Sequence, residues 1–75
     1  MRYILANTQL SQAAGLRLEG HRRNDTFVIY NEKEISLSPA LQEHDSLEKK
    51  AEIIGGKIYS RTDLLQIINN NNMKL

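Results

Sequence analysis

The segment from Asp45 to Asn69 constrains the fold most, because its signals for helix, turn and strand follow one another without conflict. Asp45 to Ile54 has apolar residues at helical spacing, and the pair Gly55-Gly56 ends that helix. Lys57 to Tyr59 then predicts a three-residue strand, and the apolar run Leu64 to Ile68 predicts a further helix. This agreement between neighbouring signals indicates a folded unit with regular secondary structure.

Two capping boxes are predicted within this segment. Asp45 is expected to cap the first helix, with Glu48 three residues later reaching back to it. Ser60 is expected to cap the second helix in the same way, with Asp63 as its partner. These polar side chains are therefore assigned to starting helices, which removes them from the search for catalytic groups.

The first fifteen residues repeat the order of strand, cap and helix. Tyr3 to Leu5 predicts a short strand, and Asn7-Thr8 supplies residues that favour a helix N-cap. The helical spacing that follows predicts a short helix from Thr8 to Ala14, and Gly15 ends it.

The middle of the chain predicts one clear strand and two uncertain ones. Residues 26–30 are apolar on both faces, so we expect a central strand covered on both sides. Residues 34–37 alternate and predict a second arm of a hairpin, with a single helical turn over 31–35 as the alternative. Residues 16–19 predict a brief strand or an extended connection, and Pro39 to His44 a loop or loose turn.

The sequence as a whole predicts a small α+β fold. We expect a sheet of three to four short strands with about three helices packed on it, in the order β-α-β-β-α-β-α. The strand at Lys57 to Tyr59 is expected at an edge or beside the first strand. Residues 1–69 form one domain in this prediction, and residues 70–75, which begin within an asparagine run, form a frayed tail.

Size and composition favour association. A chain of 75 residues buries only about 60–65% of its unfolded surface, and this one has no cysteine for disulfides or thiolate-bound zinc. We therefore expect a homodimer, the commonest form of oligomer. The apolar runs are too short to span a membrane, and the apolar stretch near Tyr3 is too short for a secretory signal. Together with the lack of cysteine, this predicts a cytoplasmic protein.

No residue pattern predicts catalysis, a cofactor or a metal site. His21 and His44 lie far apart in the sequence, so neither spacing nor cysteine supports zinc, and we expect both to be solvent-exposed loop residues. No Gly-x-Ser-x-Gly motif is present, and a small domain has little room for a pocket that excludes water. An enzyme is therefore the least favoured hypothesis.

The remaining candidate site is a basic loop formed by Arg17, His21, Arg22 and Arg23. Arginine binds phosphate through paired hydrogen bonds, so this loop predicts nucleic-acid or phosphate binding as an alternative function. A net charge of +1 gives that alternative little general support. The leading hypothesis is a small interaction module that self-associates and binds a protein partner.

Overall fold

The computed structural model describes residues 1–70 and shows an α+β fold, as predicted. A three-stranded antiparallel sheet carries helices on both faces. In chain order the elements are β1 (Arg2–Asn7), α1 (Thr8–Ala13), β2 (Phe27–Asn31), α2 (Glu32–Ser36), a 3-10 turn (Pro39–Leu41), α3 (Leu47–Ile53), β3 (Lys57–Ser60) and α4 (Arg61–Asn70).

Strand β1 lies at the centre of the sheet, whose order is β2-β1-β3. Ile4 pairs with Tyr30 of β2 on one side and with Ile58 of β3 on the other. The prediction that residues 26–30 form the central strand is therefore wrong. Strand β1 has three successive buried residues, as expected of a strand covered on both faces. In β2, buried and partly buried residues alternate, as expected of a strand with one fully covered face. The predicted edge position of β3 is confirmed.

The two faces of the sheet bury different clusters. The larger cluster lies under α2, α3 and the 3-10 turn; its buried members are Ile4, Ala6, Val28, Tyr30, Ile35, Leu41, Ala51 and Ile54. The smaller cluster lies under α4 alone, where Leu64 and Ile68 pack against Leu5. One face is therefore more completely covered than the other.

Side-chain caps start the helices, with one change from the prediction. Asn7 Oδ1 accepts from the Leu10 amide of α1 at 2.8 Å, and Ser60 Oγ accepts from the Asp63 amide of α4 at 3.1 Å. The prediction that Asp45 caps α3 is wrong. Ser46 has the extended backbone of an N-cap, and its hydroxyl accepts from the Lys49 amide at 3.1 Å.

Two predicted strands are absent. Residues 34–37 belong to α2 and its C-terminal end, so the hairpin prediction is wrong and the alternative of a helical turn is confirmed. Asn31 decides this, because it forms a capping box with Glu34: its side chain accepts from the Glu34 amide at 2.7 Å. Residues 16–19 form a connection rather than a strand, and within the predicted loop Pro39–Leu41 makes a 3-10 turn.

The glycine stops occur where they were predicted, since Gly15 and Gly55 both have positive φ. Helix α4 continues to Asn70, one residue beyond the predicted domain boundary. The rest of the predicted tail, 71–75, lies outside the described residues. Within residues 1–70, no helix is long and apolar enough to cross a membrane.

Candidate functional site

The predicted basic loop extends the sheet beyond β2. The Ile29 amide donates to the Arg22 carbonyl at 3.0 Å, and the Asn24 amide donates to the Phe27 carbonyl at 2.8 Å. These bonds frame a bridge between Arg23 and Val28. The segment 22–24 therefore covers the outer edge of β2, and its alternating geometry sends Arg22 and Arg23 to opposite faces of the sheet.

His21 holds this loop against the well-covered face. Its ring lies 4.6 Å from the Tyr30 ring, and its Nε2 lies 2.5 Å from a carboxylate oxygen of Glu34. Nδ1 lies 3.1 Å from the Glu19 carbonyl. The side chain is only 17% exposed, so the prediction of a solvent-exposed loop histidine is wrong for His21. Its contacts give it a structural role that joins the loop to α2.

The other basic side chains do not converge on one point. Arg23 Nη1 donates to the Leu18 carbonyl, and its contact with the His21 carbonyl is 3.5 Å. Arg17 is exposed, and its backbone carbonyl accepts from the Tyr30 hydroxyl at 2.8 Å. Arg22 lies on the opposite face of the sheet from Arg23. The four predicted residues are therefore close in sequence, but the fold places their side chains in different surroundings.

Arg17 and His21 do share one open groove of about 690 Å³. Its apolar wall includes Leu16, Ile35, Leu37, Pro39 and Ala40. Two carboxylates, Glu19 and Glu34, line it as well, so the groove contains both basic and acidic side chains. This mixed lining gives no concentrated positive field of the kind that attracts phosphate.

Titratable side chains outside the basic loop contribute to core packing and to ion pairs. Burial raises the pKa of the Tyr30 phenol. The hydrogen bond from Arg2 lowers the pKa of Glu32, whose carboxylate accepts at 2.8 Å. Among residues 1–70, no group of three or more histidine, aspartate or glutamate side chains is placed to hold a metal ion.

Strand β3 provides the first candidate interaction surface, which we call the β3 edge. The Asn7 amide points toward the β3 side and donates to the Ile54 carbonyl at 2.9 Å. Along a strand, the backbone groups of successive residues point to alternate sides. Lys57 and Tyr59 therefore form hydrogen bonds with β1, while Ile58 directs its amide and carbonyl outward. In the described part of the chain, no backbone hydrogen bond satisfies those two groups of Ile58.

Apolar side chains accompany the β3 edge on both faces. Ile58 and Tyr59 are half-buried and belong to the larger and smaller clusters, respectively. The helices that pack on β3 from the two faces each carry an exposed apolar residue, Ile53 on α3 (44% exposed) and Leu65 on α4 (43% exposed). The edge thus combines unpaired backbone with incompletely covered apolar surface.

The second candidate surface is the sheet face beneath α4, which we call the α4 face. Helix α4 packs mainly on β3 and β1. Phe27 and Ile29 of β2 point to the same face as Leu5, pack at the margin of its cluster and are only partly buried. The half of the α4 face over β2 therefore has no helix of its own among the described elements.

Sequence reasoning missed both surfaces, although signals for them exist. Phe27 and Ile29 alternate with Val28 and Tyr30, and we interpreted both sets as fully covered. The open side of β3 depends on sheet order, which the sequence does not specify. Comparisons with protein-family models, with curated proteins and with solved structures find no match, so the functional argument rests on these two surfaces.

Proposed function

We propose that this protein is a small interaction module that self-associates through the β3 edge. The observation that supports the proposal most directly is the outward amide and carbonyl of Ile58, which have no backbone partner in residues 1–70. Two copies related by a two-fold axis would pair their β3 strands antiparallel. The two sheets would then form one continuous sheet of six strands.

The β3 edge is self-complementary. A two-fold axis at Ile58 lets the amide of each copy donate to the carbonyl of the other, as in a hydrogen-bonded antiparallel pair. The same axis places Lys57 of one copy opposite Tyr59 of the other, on one face of the sheet. The half-buried side chains of Ile58 and Tyr59 would also gain cover from the second copy.

The other edge of the sheet supports this choice by contrast. The segment 22–24 already pairs with the outer edge of β2 through the Ile29 amide and the Phe27 carbonyl. Open strand edges attract further strands, and proteins commonly cover them. Among residues 1–70, the chain covers one edge with its own loop and places no strand beside β3, so a second copy is the natural partner for that edge.

A dimer also suits the size of the domain. A chain of 75 residues has a stability on the order of 4–11 kcal/mol, and this one has no cysteine for reinforcement. Added burial at an interface stabilises such a small core. The absence of cysteine also fits the reducing cytoplasm, where we place the module.

Amide exchange measured at several protein concentrations tests the proposal directly. We expect the Ile58 amide to exchange rapidly at low concentration and to become protected as dimer forms, while the Leu5 amide stays protected throughout. Sedimentation equilibrium at micromolar concentration should show a mass near twice 8.6 kDa. A monomer at all concentrations, or a dimer whose Ile58 amide still exchanges rapidly, would overturn the proposal.

A synthetic chain with an N-methyl group at Ile58 provides the matched variant. The modification removes the outward donor and leaves every side chain in place, so we expect a folded monomer. Leu37→Ser is the control, because Leu37 is a 69% exposed residue at the C-terminal end of α2, outside the β3 edge, and its replacement should leave the dimer intact. Circular dichroism confirms that each chain is folded.

The alternatives make different predictions. Nucleic-acid binding through Arg17, Arg22 and Arg23 would fall steeply with salt and would weaken in the double variant Arg22→Ala with Arg23→Ala. A titration with single-stranded and duplex DNA at low salt therefore separates it from self-association. We expect no salt-dependent binding in that titration, because the three side chains are divided between different surroundings.

A further inference from the structure

We propose that His21 and Glu34 form a proton-dependent latch, which closes the turn 18–21 on α2 and opens as the pH rises through neutrality. Both side chains line the groove of about 690 Å³, so the latch sets how open that groove is. The pair packs beside β2, at the opposite side of the sheet from the β3 edge, so the inference does not depend on the dimer.

The contacts of the His21 ring require a proton at each nitrogen. Nδ1 lies 3.1 Å from the Glu19 carbonyl oxygen, which can only accept, so Nδ1 must carry a proton for this bond to form. Nε2 lies 2.5 Å from Oε2 of Glu34, a distance at which one proton must lie between the two atoms. The ring and the carboxylate therefore hold two protons together, one more than a neutral imidazole and an ionised carboxylate hold.

Loss of that extra proton disrupts one of the two bonds. If Nδ1 keeps the remaining proton, the lone pair of Nε2 faces the Glu34 carboxylate; if Nε2 keeps it, the lone pair of Nδ1 faces the Glu19 carbonyl. The His21 side chain is only 17% exposed, so water has little access to replace the lost bond. Histidine changes its charge between about pH 5 and pH 8, so the latch is complete at pH 6 and loses a bond as the pH rises toward 8.

The direct contact with Glu34 dominates the charges around the ring. Within residues 1–70, the other charged or titratable side chains that line this groove or contact the His21 backbone are Arg17, Glu19, Arg23 and Tyr30. The other charged residues of α2, which line a separate groove, are Glu32 and Lys33. Arg17 and Glu19 carry opposite charges, and neither side chain bonds to the ring, while Arg23 contacts backbone carbonyls. Burial raises the pKa of the Tyr30 phenol, which therefore stays protonated from pH 6 to pH 8.

The chain on either side of the latch limits what can move. The Tyr30 hydroxyl donates to the Arg17 carbonyl at 2.8 Å, and the Arg22 carbonyl accepts from an amide of β2 at 3.0 Å. Both ends of the loop are thus anchored to β2. Between them, the turn 18–21 is closed by its own backbone hydrogen bond of 3.3 Å. Opening therefore moves this turn away from α2 as a unit and leaves the rest of the fold in place.

Glu34→Gln separates the proton from the contact. A glutamine amide can donate to Nε2 of a neutral imidazole whose Nδ1 still donates to the Glu19 carbonyl, so both bonds form without the extra proton. The glutamine oxygen can still accept from the Asn31 amide, which preserves the capping box. Urea denaturation at one protomer concentration measures the effect. Between pH 6 and pH 8, we expect the unfolding equilibrium constant of the wild type to rise at least threefold more than that of Glu34→Gln.

The matched control is Glu32→Gln on the same helix. It removes a carboxylate that pairs with Arg2 and contacts no histidine, so its pH dependence should equal that of the wild type. Nuclear Overhauser contacts locate the opening in the wild type. Those between the His21 ring and the Glu34 side chain should be strong at pH 6 and weaker at pH 8, and in Glu34→Gln the corresponding contacts should persist at both values.

Three results would overturn the inference. One is the same pH dependence of stability in the wild type and in Glu34→Gln. Another is a set of contacts between the His21 ring and Glu34 that stays unchanged from pH 6 to pH 8 in the wild type, a measurement that decides the matter even if the variant fails to fold. The third is equal loss of these contacts at pH 8 in Glu34→Gln, because the opening would then have a cause other than the shared proton. All three leave dimerisation at the β3 edge untouched.

Discussion

Gly56→Ala tests the close approach of β3 to the centre of the sheet. A Cβ at this position would lie 2.7 Å from Cγ2 of Ile4, 3.2 Å from the Leu5 carbonyl oxygen and 3.3 Å from the Ala6 Cα. Carbon atoms in contact normally lie about 3.5–4.0 Å apart, so the first distance is short by roughly 1 Å. Ile4 is fully buried in the central strand, so it has no free space into which to move.

The magnitude follows from two opposing effects. Forcing an extra methyl group into a packed core costs about 1–3 kcal/mol. Replacing glycine by alanine also restricts the unfolded chain, which stabilises the fold by about 0.4–1 kcal/mol. We therefore expect a net loss of about 1–2 kcal/mol in the free energy of unfolding. For a domain of this size, each kcal/mol corresponds to a fall of roughly 4–8 °C in Tm.

Urea denaturation followed by circular dichroism measures this change. The protomer concentration must be the same for all variants, because the proposed self-association would add to the apparent stability. Gly20→Ala is the control: Gly20 has a φ of +80° and no atom within 4 Å of a Cβ, so only backbone strain opposes it. A Gly56→Ala chain as stable as the wild type would refute the reasoning, because β3 would then lie farther from β1 than described.

Two further predictions concern the buried hydroxyl-bearing residues Tyr30 and Ser11. Tyr30→Phe should lower stability by about 1 kcal/mol at pH 7, because the Arg17 carbonyl loses its hydrogen bond. Burial raises the pKa of the Tyr30 phenol in the folded state above its ordinary value of 10.0. When the pH rises above that ordinary value, the unfolded chain loses this proton first, so the wild type is destabilised. Urea titrations from pH 7 to pH 11 should thus show the difference shrinking above pH 10, and a constant difference would contradict the argument. Ser11→Ala should be neutral or stabilising by up to about 1 kcal/mol, because the buried Ser11 hydroxyl has no hydrogen-bond partner among the described residues. A clear loss of thermal stability would show that this hydroxyl is bonded.

Local signals decided where most elements begin and end. Asn7 and Ser60 start helices because their side chains reach amides within the next turn, which requires no distant contact. Gly15 and Gly55 end helices because they adopt positive φ at little cost. The α+β class follows from the alternation of these elements.

The local signals failed where two interpretations fitted equally well. Residues 34–37 alternate as a strand would, yet Asn31 and Glu34 form a capping box that makes this stretch a helix. Asp45 and Ser46 are both good N-caps, and only the backbone conformation selects Ser46. Neighbouring alternatives of this kind differ by small energies that packing decides.

The sequence by itself determined most of the elements, because caps, glycines and periodicity act over a few residues. Only the tertiary structure decided which strand lies at the centre, because pairing depends on contacts between distant residues and on the burial that they share. In the described part of the chain, the same contacts left the β3 edge without a neighbouring strand, placed α4 over β3 and β1, and separated Arg22 from Arg23. Both candidate surfaces arise from this arrangement, since an uncovered edge or face exists only after the chain has covered the others.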